Sequence, residues 1–470
     1  MWTIFAAAAS GALWFGGTGL RPIAGLTWLA LLPLLLIAPR VRPRAALTAT
    51  VGAWLIGQLN VVGYYHGALQ MPVAAVAGVV LIGATLAVGT VLFARLLFLR
   101  DRITTAILVV PALWVLGEYA VAHLLPHGAW WSLAYTQAGV RPIIQLTALT
   151  GIWGMTYLLI AIPIGLAAAP RDPVLAGGIL LVLVVAAGSW SIGTLTAPPA
   201  GKGQVGTSVG LVALEQPDDG MPIDQPAGRE LLTRYVARAT GLAGRGARII
   251  VLPEKVFGLT DATLPRLVDA FRPVGARVVV GAVLHQRNVA LLLEPSGATA
   301  TYAKQRLIPG LEDWLVPGHD DLVADGGLGI AICKDLDFPG LVRRYRAEGA
   351  TTLLVPALDF RDDGRLHSRM AVVRGIESGM TVVRAAAFGR LTVSGPTGDV
   401  LGEATTGDAE LLVTVPPPVR RTIYSRTGDW FLILMVAAVI ATGGRWWWGR
   451  GKVTSSRPAS QVMTSDWRKA

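Results

Sequence analysis

Seven apolar runs, at residues 2–17, 23–38, 46–65, 72–94, 103–124, 143–168 and 174–193, fill the first two hundred residues of the chain. Most approach the roughly 20 residues that a helix needs to cross a hydrocarbon core. Backbone in lipid must satisfy its own hydrogen bonds, so a helical bundle is the architecture such runs can adopt there. Charge follows the same division: residues 1–200 hold three of the 30 acidic side chains, Asp101, Glu118 and Asp172. The whole chain is 53% hydrophobic and 15% charged, far from a soluble average. The first run has no basic segment ahead of it and is followed by further apolar runs, so it reads as a retained span rather than a cleaved leader.

The arginines imply an orientation. With the N-terminus inside, Arg40, Arg42, Arg44, Arg95, Arg100, Arg102 and Arg171 lie at inner ends against Arg21 and Arg141 outside, the sense expected when basic loops stay inside. Seven spans then deliver residues 200–425 to the outer face. An eighth apolar run, near 430–443, leads into Arg445, Trp446, Trp447, Trp448, Arg450 and Lys452, an aromatic and basic anchor; Arg420, Arg421 and Arg426 ahead of it pull the other way. The net charge of +11 thus sits between spans and in the tail, where it reads as topology, and no nucleic-acid partner is expected. One cysteine excludes an intrachain disulfide.

Residues 199–204 read as a Pro/Gly linker, and the pattern then changes. Short β-branched runs at 209–214, 248–252, 277–284, 290–293, 328–332 and 352–355 alternate with helical stretches at 229–243, 261–272, 339–348 and 366–379. Strands alternating with helices predict a layered α/β domain. The tail from 453 is polar and is expected to be disordered.

Three strand ends finish on reactive residues: Glu254 after Ile249–Pro253, Lys304 after Tyr302 and Ala303, and Cys333 after Ile330–Ile332. Ligands gather where the strands of an α/β sheet end. There Glu254 can take the thiol proton, Cys333 can attack an acyl carbon as thiolate, and Lys304 can stabilise the oxyanion beside a backbone N–H near Lys334. A cationic neighbour favours the thiolate, which an unperturbed thiol of pKa about 8.5 does not populate at neutral pH. Taken singly, each residue has a plainer reading. A buried thiol is as readily an inert core residue, and a Glu or Lys at a strand end is usually a solvated charge.

Order, spacing and flanking residues decide between these readings. Glu254 after Pro253, Lys304 after Tyr302 and Cys333 after an apolar strand resemble the Glu-Lys-Cys triad of the nitrilase (carbon-nitrogen hydrolase) superfamily over residues 208–415, which implies an αββα sandwich. A narrower resemblance, to the bacterial apolipoprotein N-acyltransferase family, covers nearly the whole chain. It is carried by Tyr302 to Glu312, with Asn288 and Gly297 upstream. Further matches are Ala112 to Glu118, Trp131 to Gln137, His367 to Glu377 with Arg369 and Arg374, and Tyr424 to Asp429. The expected architecture is a membrane α-helical bundle of about eight spans plus an α/β nitrilase-like sandwich. Its parts are spans 1–7 in residues 1–198, a catalytic domain at 205–417 on the outer face of a bacterial inner membrane, span 8 at 428–449, and a cytoplasmic tail at 450–470.

The resemblance implies a phospholipid acyl donor, a Cys333 thioester, and a diacylated apolipoprotein whose N-terminal amine is the acceptor, with no cofactor and a monomeric enzyme. Glu254 would be base in both halves, and Glu312 would hold Lys304 or assist proton transfer. The chain departs from the family at Lys334 and Asp335, where an aromatic residue and Glu are usual. It departs again at Pro356 to Asp359 and at Ala386, Ala387 and Phe388. Trp314, Trp131 and Tyr302 are candidates for the acyl groove, although Trp314 equally suits a lipid anchor. Glu118, an ionisable residue in a span, suggests a structural role at the junction of membrane and domain, against the functional role such residues often have. His127, beside Trp130 and Trp131, is expected at the membrane interface rather than in the site. The six histidines show no metal-ligand spacing, so zinc is not expected. Two other readings stay open: a membrane-anchored amidase with water as acceptor, and a weakly active lipid-binding partner of another transferase.

Overall fold

The computed structural model describes residues 1–196, 206–217, 219–405 and 407–453, with the side chains of 443–453 excepted. The linker at 199–204, the tail beyond 453 and the side chains of the expected anchor at 445–452 lie outside what is described. Helices occupy every expected apolar stretch, but not as eight equal spans. Among the described residues three single helices are long and apolar enough to cross a membrane, namely Val73–Phe98, Ile103–Leu124 and Pro173–Thr196. A fourth is added if Arg141–Thr150 and Ile152–Ala168, bent by 119°, form one span. The other expected spans are shorter helices, including Trp2–Gly17 and Pro43–Gln58. The second run is broken: Ala24–Thr27 stops, and Pro33 begins Leu32–Ile37, as fits a residue that cannot donate within a helix interior.

Pro173–Thr196 is apolar throughout, yet only Ala176 and Ser191 are buried along it. A helix of that kind needs lipid around it. Inside the bundle, Trp14 stacks on Trp114 at 6.2 Å and meets Trp54 edge-on at 5.4 Å. Glu118 is buried there and accepts from Leu133 N (3.1 Å), Trp114 Nε1 (3.2 Å) and Thr156 Oγ1 (3.4 Å). It thereby ties the 132–137 turn to two helices, a structural use that fits the cost of leaving such a group unpaired.

Beyond the bundle lie two sheets packed face to face. In the first, Arg277–Leu284 is central. Ile249–Val251 and Phe257–Leu259 pair with it in succession as one interrupted parallel strand, and Arg287–Leu293 pairs antiparallel on its other side, followed by Thr299–Ala303. Thr207–Ala213 and Ala409–Val415 extend the sheet beyond Ile249–Val251. In the second sheet, Leu328–Ile330, Thr352–Ala357 and Thr381–Ala386 run parallel, with antiparallel strands outside them.

Side chains alternate across these strands with the period of two that a strand imposes. Val209, Leu211, Ile249, Val251 and Val279 point into the core between the sheets. Val212, Ile250, Val278 and Val280 point to the helices Pro226–Gly244 and Leu264–Phe271 instead. The second sheet is covered by Pro339–Ala347 and Gly364–Ser378, giving the four layers of the predicted αββα sandwich.

Gly364–Ser378 is buried on nearly every side because the membrane bundle lies on its far face. Arg374 donates to Tyr135 Oη (2.7 Å) and pairs with Glu377 (2.6 Å), whose other oxygen accepts from Ile152 N (2.8 Å). Trp153 Nε1 donates to Asp429 (2.9 Å), and Trp430 Nε1 to the Leu149 carbonyl (2.8 Å). Much of the family-like sequence at 367–377 and 424–429 thus joins domain to bundle.

Candidate active site

Glu254 sits in the gap of the interrupted strand. Leu252 N and Val256 N keep their bonds to the Val279 and Gly281 carbonyls, while the Pro253–Lys255 segment bulges out and Glu254 N turns to the Ala357 carbonyl of the other sheet, 3.2 Å away. Lys255 takes φ of 52°. A Cβ at Gly281 would come within 2.1 Å of the Pro253 carbonyl oxygen, so only glycine lets the bulge lie this close.

Lys304 follows Thr299–Ala303 and is pinned by Lys304 N to Asn288 O and by Gly318 N to Lys304 O, both 2.8 Å. Its ammonium is buried and donates to Glu254 Oε1 (2.7 Å) and to Glu312 Oε1 and Oε2 (3.0 and 2.9 Å). Asn288 Nδ2 bridges the same two carboxylates, at 2.6 and 3.0 Å. Burial lowers the Lys304 pKa, but Glu254 and Glu312 outweigh it and the net shift is upward, so the side chain stays charged. Burial raises that of Glu312, and the Lys304 charge outweighs it, holding the carboxyl below the usual range. Glu254 Oε2 is buried without a partner. A group of this kind in a satisfied network is an acceptor in reserve.

Cys333 opens a short turn after the second-sheet strand Leu328–Ile330, with φ of 40°. A non-glycine residue there is strained by roughly 1–3 kcal/mol, a feature that collects at functional sites. Its Sγ lies 3.7 Å from the Leu358 carbonyl. Burial and the Glu254 charge push the thiol pKa well up, while Lys304 and Arg384 pull it down by less. The resting group is therefore a thiol rather than the thiolate that a cationic neighbour alone would favour, so attack requires a base.

Asp335 ties the two halves together. Its carboxylate accepts from Tyr302 Oη (2.8 Å), Ile332 N (2.9 Å), Arg306 N (2.9 Å) and Gln305 N (3.2 Å). It thus fixes the end of the Cys333 strand against the end of the Lys304 strand. Burial raises its pKa to about 6, against the pull of those donors, and it is ionised at neutral pH. Replacing Asp335 with Asn sets an amide N–H₂ against donors. We expect a loss of about 1–3 kcal/mol of stability together with slowed chemistry, measured by thermal unfolding and single-turnover acylation; an unchanged unfolding temperature contradicts this role.

Cys333 opens into a mostly apolar cavity of about 1080 Å³, mouth included, whose walls include Tyr65, Leu69, Met71, Val79 and Ile82 from the bundle and Trp130 and Trp131 from the loop after it. Of the groove candidates, Trp131 lies there. Tyr302 does not: it is buried against Asp335 between the sheets. Trp314 is 52% exposed and is not among the residues of this wall. Lys334 faces the cavity and lies 3.3 Å from His127 Nδ1, with its pKa lowered by burial. His127, expected at the interface, is thus part of the site wall, and burial with the Lys334 charge lowers its pKa to about 4.

Asp359, Asp363 and His367 also converge, with ligand atoms within 4.8 Å of one another. A search for histidine pairs did not reveal this cluster. Arg384 clamps Asp359 through both guanidinium nitrogens, Tyr64 donates to Asp363, and His367 Nδ1 faces Asp359 at 3.1 Å. Against burial, the carboxylates raise the His367 pKa to about 9. Yet Trp130 Nε1–H points at Nε2 from 2.9 Å, and a protonated Nε2 would set two donors against each other. The hydrogen-bond geometry is the stronger constraint and holds the ring neutral.

The two regions of the chain match two families. Residues 10–164 match the apolipoprotein N-acyltransferase N-terminal domain, and residues 208–417 match carbon-nitrogen hydrolase. The chain is 28% identical to the apolipoprotein N-acyltransferase of Geobacter metallireducens, over 89% of this chain and 90% of that protein. It is 26% identical to that of Bradyrhizobium diazoefficiens over 72% of each. An amidase from Nesterenkonia sp. superposes with a TM-score of 0.40 at 24% identity, covering 48% of this chain and 95% of the amidase. The chain belongs to the nitrilase (carbon-nitrogen hydrolase) superfamily and, within it, to the apolipoprotein N-acyltransferases.

Proposed function

We propose that this membrane enzyme acylates the N-terminal amine of diacylglyceryl-cysteine lipoproteins, taking the acyl chain from a phospholipid through a thioester on Cys333. The observation that carries this reading is that Cys333 opens into a mostly apolar cavity that the membrane bundle and the α/β domain wall jointly. A water-soluble amide would gain little from such walls, whereas each buried methylene of an acyl chain contributes about 0.8 kcal/mol.

In the first half, Glu254 takes the thiol proton as Sγ attacks the ester carbonyl. The glycerol oxygen then leaves with that proton as a lysophospholipid. In the second half, the amine attacks the thioester, the carbon–sulfur bond breaks, and Glu254 removes a proton from nitrogen while the thiolate is reprotonated. Lys304, whose ammonium bonds run to Glu254 and Glu312 at rest, holds the Glu312 carboxyl below its usual range and adds positive potential beside the developing oxyanion. The site is complete within one chain, so a monomer is expected to suffice. The excess of arginines at the ends expected to face inward supports an orientation with the domain on the outer face of the inner membrane.

Glu312→Gln preserves shape but removes one of two charges on Lys304. We expect transfer to slow by roughly 10- to 100-fold while the thioester still forms; complete loss of the thioester contradicts a supporting role. The function as a whole is tested by incubating purified protein with phospholipid and a synthetic diacylated lipopeptide, and weighing the products. The expected product is a triacylated peptide with an amide-linked chain. Release of free fatty acid with no triacylated peptide would instead establish the amidase reading, and release of neither a lipid-binding partner.

A further inference from the structure

Tyr64, Ile308, Leu358 and Phe360 border two cavities, one on either side. The first is the apolar cavity onto which Cys333 opens. The second, about 2390 Å³ with its open mouth, contains Glu254 and Glu312 and carries a mixed set of charges, among them Arg21, Asp219, Lys255, Arg361 and Asp362. The nucleophile and its base are thus reached from different sides. We infer that the two half-reactions use separate entrances: the donor's acyl chain enters through the apolar cavity, and the amine-bearing peptide of the acceptor enters through the polar one. This inference rests on the function proposed above and adds to it a binding site for the peptide.

Each half-reaction matches the chemistry of its cavity. Acylation brings a long apolar chain to the sulfur, and Leu69, Met71, Val79 and Ile82 surround that approach. Aminolysis brings a hydrated peptide whose every residue carries a backbone donor and acceptor to be satisfied. The polar cavity offers such groups, while the apolar one would strand them. The acceptor arrives as an ammonium with three N–H donors, and Glu254 Oε2, like the amide oxygen of Asn60, is a buried, partnerless acceptor among the groups of this cavity; of the two, Glu254 carries the charge. The ammonium yields one proton through Glu254 to the water of the open cavity. Its nitrogen attacks the thioester carbon, the carbon–nitrogen bond forms as carbon–sulfur breaks, and the second proton lost from nitrogen passes by way of Glu254 to the Cys333 sulfur, restoring thiol and base. The acceptor's own diacylglyceryl chains remain in the membrane beside the bundle.

Gly63 and Gly67 line the polar cavity, and a Cβ at either would meet nothing within 4 Å. A side chain at either position therefore starts in open space, and Gly63→Trp and Gly67→Trp, made separately, are chosen to narrow the polar cavity. The test uses the full-length protein in mixed micelles of a synthetic dipalmitoyl glycerophospholipid. It measures thioester formation first, then discharge of the preformed thioester by a diacylated lipopeptide or by methylamine. Thioester formation and methylamine discharge should stay within about twofold of the parent, while lipopeptide discharge falls at least about tenfold. Val79→Trp, in the apolar cavity, should show the reverse, with thioester formation slowed and discharge kept. Unchanged lipopeptide discharge in both tryptophan variants overturns the inference, as does loss of both half-reactions in both of them. Loss of both in one variant alone marks misfolding of that variant, and the other then decides. Failure of the unmodified protein to form any thioester would refute the proposed function itself, and this inference with it.

Discussion

Cys333→Ala should form no acyl adduct and should transfer acyl chains more slowly by on the order of 10³-fold or more, while folding normally. The sulfur is the only atom lost. Its recorded hydrogen bond is a long one to the Leu358 carbonyl, and the Lys304, Glu254, Glu312 and Asn288 cluster holds itself together without it. Stability should therefore change little, and alanine meets the same backbone strain at φ of 40° as cysteine does. The check is single-turnover acylation read by intact mass beside thermal unfolding of the same sample. Residual transfer at a tenth of the parent rate would mean that another residue carries the acyl group.

Lys304→Met should damage both fold and chemistry. The substitution leaves Glu254 and Glu312, 1% exposed each, sharing one buried site without their cation. Breaking a buried ion pair by removing one partner costs about 3–5 kcal/mol, because the remaining charge is stranded. The pH dependence should also change sign. In the parent, Glu312 is held below its unfolded value, so its contribution is present above that value and lost as pH falls through the folded one. In the variant, two carboxylates facing each other must share a proton, which raises one folded pKa above about 4.3, the unfolded value. Stability then falls as pH rises through that raised value. Apparent unfolding temperatures at one scan rate, compared between about pH 3 and 8 so that both titrations fall inside the window, test this. A variant whose pH slope matches the parent's would contradict the account of the cluster.

Glu254, Lys304 and Cys333 were legible as candidates because each stands at a strand end, and it was their order and flanking residues, as a resemblance to the nitrilase superfamily, that joined them. The layered α/β class was legible from runs of alternating type, whereas the four-layer sandwich was implied only by the resemblance to the nitrilase superfamily. Long-range geometry was not legible. Tyr302 looked like a groove aromatic, yet its hydroxyl serves Asp335, 33 positions away. Asp335 reads in the sequence only as a departure from the family's Glu, and its four donors reveal a tie between two strands. His127 meets Lys334 across 207 positions, a pairing that no local pattern encodes. Asp359, Asp363 and His367 are spaced four apart, a signal carried by two carboxylates and one ring that histidine spacing alone does not contain.

The membrane region was the least legible in number. Apolar composition marks each run, but Pro33 and the bend at Gly151 decide where a helix is continuous, and hydropathy does not weigh either. The resemblance at 367–377 and 424–429 was visible as sequence. Its meaning, a buried joint through Arg374, Glu377 and Asp429, needed both partners in place.

The central claim is that Cys333 is the acyl carrier of a lipid-fed transferase. It is tested most directly by incubating the purified protein with a glycerophospholipid and mapping any acyl adduct by mass spectrometry. The expected result is one acyl group on Cys333, released by hydroxylamine and discharged on adding a diacylated lipopeptide. Transfer to the lipopeptide with no adduct on Cys333, or an adduct on another residue, would contradict it.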